Sequence, residues 1–574
     1  MGILRSFLLI KCLFDLIWLT HQEIYTSTLQ ICHIFKLELD ELRYFDQKFN
    51  EIDYTGHVYD LIQEIRKEVP REIFNDITYS LNDCVYEHSF LNLFITHPIN
   101  SLALIKRFIT KWPQVQNSSL FPEHRELSVF VKKYNFNNDD LVGAYEALYR
   151  LQKFNWLDPA KLQNGTLWKE WDSLSKYSVI IPRSLTPKDM YQIGVMAYGD
   201  KDFESAKSWF SASYEEIKAN NTQVSQRLLI NVVDYLSWAE YKLGEFDLAF
   251  DHAHQLIRID PTNERWVENL QSFKEKMTEN APKSPKSNEY FIKSLKSERF
   301  RQRIKRILNN HSYENLEGDY EVELSRQICR DDKLWKTEVS KLLIPVCFVI
   351  KGSNTFGKFI TVKVERISSD PDIYMFRSIA DQYDVWYWKM VTRFYLESSI
   401  VFNAATGKQE PAKYRISKGA WVDLDYNSLM VSLVNRLRVA TAITFDSAEM
   451  FQVVNYGLGG YYDIHYDFSR KNVPSNNDGF SAYNGKRLAT FMLYLSDVAI
   501  GGHTAFPRLG LSVKPSKGDV LFWHNLLSDE TGDARMHTID CPVVQGSKWV
   551  GTFWVRSRGQ ERTRPCSLYE RGGI

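Results

Sequence analysis

The sequence predicts a multidomain α + β protein, helical through its first half and built on a β-rich domain towards its C-terminal end. Three observations predict this. Long amphipathic runs with few glycines fill the chain from Thr26 to about Trp156. A repeat with the offsets of a tetratricopeptide helix pair runs from about Leu185 to Lys276. From Tyr320 onward, short β-branched and aromatic runs alternate with Gly, Pro and Asn-Asp turns. With 574 residues the chain is too long for a single core.

Residues 1–20 read as a signal peptide. Arg5 supplies a basic flank to the apolar blocks Phe7–Ile10 and Leu16–Leu19, although Lys11 and Asp15 interrupt them. No later stretch has the apolar length of a membrane span, so no transmembrane anchor is expected. A formal net charge of zero gives no global reason to expect nucleic acid as a partner. Seven cysteines are too few to serve as the main scaffold. If Cys12 leaves with the signal peptide, six remain, a number compatible with bridges in an oxidising compartment. Four sequons, at Asn117, Asn164, Asn220 and Asn310, are permissive of secretory processing.

Residues 21–170 form the predicted N-terminal helical domain. Leu42, Phe45, Phe49 and Ile52 recur at alternating three- and four-residue steps, which fits either a coiled-coil seam or an ordinary bundle core. Asp139 to Asp158 reads as an amphipathic helix whose acidic start suits the helix dipole. Residues 180–280 hold the repeat. Ile193-Gly194, Tyr198, Ala206 and Phe210 mark one helix pair, and Tyr235, Trp238, Tyr241, Ala249 and Asp260-Pro261 a second. Paired helices form a concave surface, and Tyr191, Tyr198, Tyr235, Trp238 and Tyr241 could line it as an aromatic groove for proline-rich peptides. The polar, basic segment 281–320 reads as a linker. In the last domain, 321–574, strands are expected at Phe359–Val364, Arg487–Leu495, Asp519–Trp523 and Trp549–Val555.

The chemistry sits in that last domain. A glycine-rich turn leads into Tyr461-Tyr462-Asp463-Ile464-His465-Tyr466-Asp467, and residues i and i+2 of a strand face the same way. His465 and Asp467 can therefore converge on one ion. His537 lies 72 residues further on, and a His-x-Asp pair with a distant His is the ligand set of a 2-His-1-carboxylate Fe(II) triad. Lys548 precedes the strand Trp549–Trp554 and could grip the distal carboxylate of 2-oxoglutarate.

Gln452–Phe468, Gly485–Thr490, Tyr494–Val498, Gly501-Gly502, Phe506-Pro507, Lys517–Asp519, Cys541–Val543 and Arg558–Gln560 strongly resemble the catalytic α subunit of collagen prolyl 4-hydroxylase. Lys413–Lys418 and Trp421 extend the match upstream, and His97–Asn100 with Asp139–Leu151 resemble that family's N-terminal domain. The resemblance implies a double-stranded β-helix (jelly roll) catalytic domain. In it His465, Asp467 and His537 would hold Fe(II), Lys548 would anchor 2-oxoglutarate, and Tyr456, Thr490 and Arg556 would stand at the co-substrate site. It further implies that 2-oxoglutarate and O2 are consumed to give succinate and CO2 while C4 of proline in X-Pro-Gly repeats of procollagen is hydroxylated. L-ascorbate would keep the iron reduced. The implied partner is protein disulfide isomerase, in an α2β2 tetramer of the endoplasmic reticulum lumen, with the N-terminal domain dimerising. Disulfides Cys541–Cys566 and Cys329–Cys347 are implied by the same match.

The chain departs from that pattern at three places. The interval from His537 to Cys541 is one residue longer, and an inserted residue reverses strand facing unless a bulge absorbs it. Trp554-Val555-Arg556 carries arginine where the family has histidine, keeping a cation that cannot titrate near neutrality. The residues between Cys329 and Cys347, from Asp331 to Val346, match poorly.

Overall fold

The structure is a computed structural model. It describes residues 24–565 apart from 53–55, 77–83, 85–89, 119–125, 130–135, 168–183, 220–224, 280–318, 331–345, 353–359, 404–407 and 470–482. The expected signal peptide and nearly all of the expected linker lie outside the described residues.

The N-terminal helices include α1 (Thr28–Ile52), α2 (Pro98–Thr110) and α3 (Asn138–Asn155). Leu42, Phe45 and Phe49 of α1 are buried in the chain's own core, so this seam is a bundle core rather than a surface for another helix. Asn137 starts α3 with a capping box: its side chain accepts from the first turn, while Asp140 accepts from the Asn137 N–H. A Cys32–Cys84 disulfide ties α1 to the segment before α2.

The repeat region supplies α4 (Pro187–Gly199), α5 (Phe203–Ala219), α6 (Gln226–Leu243), α7 (Phe246–Ile259) and α8 (Glu264–Glu279). These form antiparallel pairs whose close approach depends on small residues. A Cβ at Gly194 would stand 2.5 Å from the Phe210 ring, and Ala206 and Ala249 are fully buried. Helix α9 (Asp319–Arg330) then leads into the β-rich domain, which also carries α10 (Gln382–Thr392) and α11 (Ser428–Thr441).

The strands of that domain begin with β1 (Val346–Lys351), β2 (Thr361–Ser369), β3 (Asp372–Arg377) and β4 (Glu397–Ser398). A hairpin β5 (Ile400–Asn403) and β6 (Lys408–Pro411) precedes β7 (Ser417–Val422), β8 (Phe451–Tyr456) and β9 (Tyr462–His465). Next come β10 (Arg487–Tyr494), β11 (Ile500–Gly501), β12 (Thr504–Phe506), β13 (Leu511–Val513) and β14 (Val520–His524). The chain closes with β15 (Thr538–Asp540), β16 (Val543–Gln545) and β17 (Trp549–Arg556). A nine-stranded antiparallel sheet runs β1-β2-β3-β14-β10-β17-β8-β7-β4, and a four-stranded sheet runs β13-β12-β15-β9. Inward side chains of both sheets wall a single cavity, the arrangement of a jelly roll. The sequence places β10, β14 and β17 to within a residue or so, because each is a buried apolar run in the middle of the large sheet.

One core runs from the helical part into the β-rich domain, joining residues such as Leu151 and Trp209 to Ile416, Leu458 and Ile539. The glycine-rich turn before His465 is where the two meet. Tyr25 C=O accepts from the Leu458 N–H at 2.8 Å, and a Cβ at Gly457 would lie 2.1 Å from that same carbonyl oxygen. Arg150 of α3 donates to Gly459 C=O at 2.9 Å. Asn455, fully buried on β8, accepts from Ser27 at 2.7 Å and donates to Thr28 at 3.1 Å and Ser547 at 3.2 Å.

The disulfides differ from those expected. Cys329, at the end of α9, bridges to Cys541, with the Cα atoms 5.4 Å apart. Cys347 is unpaired and exposed on β1, the edge strand of the large sheet. Because α9 lies against the small sheet while β1 lies at the far edge of the large one, Cys329 meets Cys541 and not Cys347. Cys541 is thereby unavailable to Cys566, which lies outside the described residues. Nothing in the spacing of the cysteines pointed to Cys32–Cys84 or to this crossed pairing.

Candidate active site

The cavity between the sheets is lined by Arg415, Gln452, Tyr456, Tyr462, His465, Asp467, Thr504, Trp523, Thr538, Asp540 and Trp554 among others. His465 ends β9 and Asp467 follows it. The His465 Nε2 stands 3.5 Å from Asp467 Oδ1, close enough for one ion to take both. The ring is aimed by its other nitrogen, Nδ1, which lies 2.7 Å from the Asp463 C=O, and by a face-to-face stack on Tyr462 at 3.5 Å. Asp467 is aimed by Thr490, whose hydroxyl donates to Oδ2 at 2.7 Å and in turn accepts from Asn525 at 2.9 Å. Burial alone would raise the Asp467 carboxyl, but His465 and Arg487 beside it hold it down to about 2. It is therefore an acceptor at any working pH. Thr490 supports a candidate ligand and does not itself line the cavity.

His537 stands differently. Thr538, not His537, is the partner of His465 across β9 and β15, and Thr538 lines the cavity where His537 does not. The His537 Nδ1–H donates to Glu321 of α9 at 2.7 Å, and the ring stacks on Tyr466 at 4.1 Å. Glu321 also receives Arg508 through two bonds, at 2.8 and 3.1 Å. Burial pushes the imidazole below its ordinary value, against the upward pull of Glu321. The β9–β15 register shifts between Thr538 and Asp540, where β9 carries one residue more than β15. Among the described residues, no three His, Cys, Asp or Glu side chains gather to hold one ion. His465 and Asp467 thus stand on one face, and Glu321 holds His537 through Nδ1, which leaves its Nε2 as the ligating nitrogen.

Lys548 is wholly buried, and its Nζ donates to Asp540 Oδ1 at 2.8 Å. Tyr456 donates to Asp540 Oδ2 at 2.6 Å and Thr504 to Oδ1 at 3.1 Å. Burial would raise the Asp540 carboxyl, but Lys548 and the Tyr456 hydroxyl hold it low. Burial likewise pulls Lys548 below its ordinary value, which Asp540 only partly offsets. Arg556, expected at the co-substrate site, does not line the cavity. Its guanidinium is held by Glu449 at 2.8 Å and by the Gly485 C=O at 2.8 Å, on a carboxylate it shares with Arg487.

The sequence reading missed Glu321, Arg415, Thr504 and Asp540. Arg415 is the cation among the cavity's lining residues, its guanidinium over the Tyr462 ring and 3.1 Å from the Gln452 side chain. It sits inside Lys413–Lys418, a stretch quoted above only for its resemblance. Asp540 lies in the interval from His537 to Cys541 noted above for its length, with no role read for it, and Glu321 had no signal, lying more than two hundred residues from His537.

The five aromatics of the expected groove divide into two sets. Tyr191, Tyr198 and Tyr235 contact one another edge to face, with ring centroids 5.3 to 5.8 Å apart, and stay half-buried. Trp238 and Tyr241 instead pack on Phe273 of α8, as part of a small separate core.

Residues 451–556, which hold the cavity, match the 2OG-Fe(II) oxygenase superfamily. Residues 187–280 match the prolyl 4-hydroxylase peptide-substrate-binding domain, and residues 61–169 the prolyl 4-hydroxylase α-subunit N-terminal region. The fold and cavity are those of a 2-oxoglutarate-dependent oxygenase with helical domains ahead of it. Among relatives, prolyl 4-hydroxylase subunit alpha-2 of Caenorhabditis elegans is 29% identical, covering 99% of this chain and 97% of that protein. Prolyl 4-hydroxylase subunit alpha-1 of Rattus norvegicus is 32% identical over 83% of this chain and 85% of that protein. A solved viral collagen prolyl hydroxylase from Paramecium Bursaria Chlorella virus-1 overlaps 32% of this chain and 96% of that one, at 20% identity and a TM-score of 0.26. The chain belongs to the prolyl 4-hydroxylase α-subunit family, whose oxygenase class uses Fe(II), 2-oxoglutarate and O2.

Proposed function

We propose that this chain is the α subunit of a procollagen-proline 4-dioxygenase, which hydroxylates proline at C4 in X-Pro-Gly sequences and converts 2-oxoglutarate and O2 to succinate and CO2. The observation that carries this reading is the His465–Asp467 pair at the wall of an oxygenase cavity, in one chain with a peptide-binding repeat domain. His465 and Asp467 supply two ligands for Fe(II), which when bound would supply the oxidising chemistry, and His537 is the candidate third. Lys548, with Tyr456 beside it, is the candidate anchor for the distal carboxylate of 2-oxoglutarate, and Asp467 stays ionised because His465 and Arg487 flank it. Tyr191, Tyr198 and Tyr235 offer a cluster of half-buried rings against which a polyproline II segment can pack. L-ascorbate as reductant, residence in the endoplasmic reticulum lumen, and assembly with protein disulfide isomerase as an α2β2 tetramer complete the proposal. No helix among the described residues is long and apolar enough to cross a membrane.

A second reading has its own support. The engagement of Lys548 by Asp540 favours a subunit that binds proline-rich peptides and turns over slowly. A variant of the first reading keeps the dioxygenase chemistry and acts on a proline-rich secreted substrate other than collagen. One assay separates the two. The chain co-expressed with protein disulfide isomerase is given Fe(II), ascorbate, 2-oxoglutarate and a (Pro-Pro-Gly) repeat peptide, and succinate is measured. Peptide-dependent succinate is the expected result; peptide binding without succinate establishes the binding subunit instead.

A further inference from the structure

Three donors converge on one buried carboxylate in this cavity. Lys548 Nζ, Tyr456 OH and Thr504 Oγ1 reach Asp540 at 2.8, 2.6 and 3.1 Å, and all four residues are at most 4% exposed. Tyr456, Thr504 and Asp540 line the same cavity as His465 and Asp467. A buried ammonium flanked by two hydroxyls is a receptor for one carboxylate, since each oxygen is satisfied by a directed donor. In this chain the carboxylate comes from within. Asp540 ends β15, immediately before Cys541.

We propose that Asp540 occupies the carboxylate receptor formed by Lys548, Tyr456 and Thr504, so that a dicarboxylate co-substrate must displace it to bind. The inference rests on the assignment of 2-oxoglutarate as co-substrate. Two carboxylates against the one Lys548 ammonium leave a buried negative charge without a counter-charge, so the two compete for it. Asp540 therefore acts as a tethered competitor that sets how much 2-oxoglutarate the site requires. Truncating it to alanine leaves an opening of about a carboxylate group with its donors in place.

The test uses the full chain with its co-expressed partner and reads binding rather than turnover. 2-Oxoglutarate is titrated without O2 and with Fe(II), and saturation is followed by equilibrium dialysis and by the rise in the unfolding midpoint. Asp540→Ala is expected to half-saturate at least tenfold below the unaltered protein, and the double variant Asp540→Ala/Lys548→Met to lose that gain. Acetate, a carboxylate small enough for the vacated place, is expected to stabilise Asp540→Ala and not the unaltered protein. If Asp540→Ala does not fold, the isosteric Asp540→Asn serves, with a gain in the same direction. Equal half-saturation with no acetate effect overturns the inference alone. An acetate effect with no response to 2-oxoglutarate in either protein overturns the co-substrate assignment and, with it, the role of competitor.

Discussion

Replacing Glu321 by glutamine removes a negative charge that holds both Arg508 and His537. The carboxylate takes two bonds from Arg508, at 2.8 and 3.1 Å, and one from His537 at 2.7 Å, and the Arg508 and Glu321 side chains are 3% and 5% exposed. Breaking a buried ion pair from one side costs about 3–5 kcal/mol, because the remaining charge stays desolvated. For a domain of this size that is about 6–20 °C in the unfolding midpoint. The Cys329–Cys541 bridge keeps α9 tethered, so the loss should be concentrated in α9 itself. Hydrogen exchange of the amides from Asp319 to Arg330 is the direct readout, with scanning calorimetry beside it. The pH dependence has a defined sign. Burial would raise Glu321, but His537 and Arg508 hold it below its ordinary value, so its contribution is present above about pH 4.3 and lost as pH falls. His537, held below its ordinary value by burial, costs stability once the unfolded imidazole protonates below about pH 6.5. The gap between the two proteins should thus widen below about pH 6.5, where the variant's His537 lacks the upward pull of Glu321, and close only as Glu321 itself protonates. An unchanged midpoint and unchanged exchange in α9 at pH 7.5 would refute the assignment of Glu321 as the buried counter-ion of this wall.

His465→Ala should abolish succinate formation and leave the affinity for a (Pro-Pro-Gly) peptide within about twofold, measured by calorimetry; a parallel loss of both would mean that peptide and cavity are not separable. Lys548→Met should lower the unfolding midpoint, since Asp540 loses a buried partner at a cost of about 3–5 kcal/mol, and should also remove saturation by 2-oxoglutarate. Tyr235→Ala should weaken peptide binding, whereas Trp238→Ala should cost about 1–3 kcal/mol of stability through the lost packing of a half-buried ring on Phe273. The reverse ranking would exchange the roles of the two aromatic sets. Under non-reducing conditions a maleimide should label Cys347 and spare Cys32, Cys84, Cys329 and Cys541, and peptide mapping should recover Cys329 linked to Cys541.

The sequence by itself determined whatever is local or periodic. Helix periodicity and an acidic first turn place α3, small residues at fixed offsets place the repeat, and buried apolar runs place β10, β14 and β17. The His-x-Asp spacing put two side chains on one face, because strand geometry fixes i and i+2 without help from the rest of the fold. What only the tertiary structure decided is what meets across long intervals. The glycine-rich turn before His465 reads as part of the site, yet Gly457 is spent on the close approach of Tyr25 from the far end of the chain. Cys541 finds Cys329, and His537 finds Glu321, because α9 docks on the small sheet; no spacing in the sequence encodes that contact. The one-residue lengthening before Cys541 was legible, but its consequence was not. Whether an inserted residue flips a strand or is absorbed depends on the partner strand. Here the outcome sets Thr538 opposite His465 and Asp540 on Lys548, where a shorter interval would have presented different side chains.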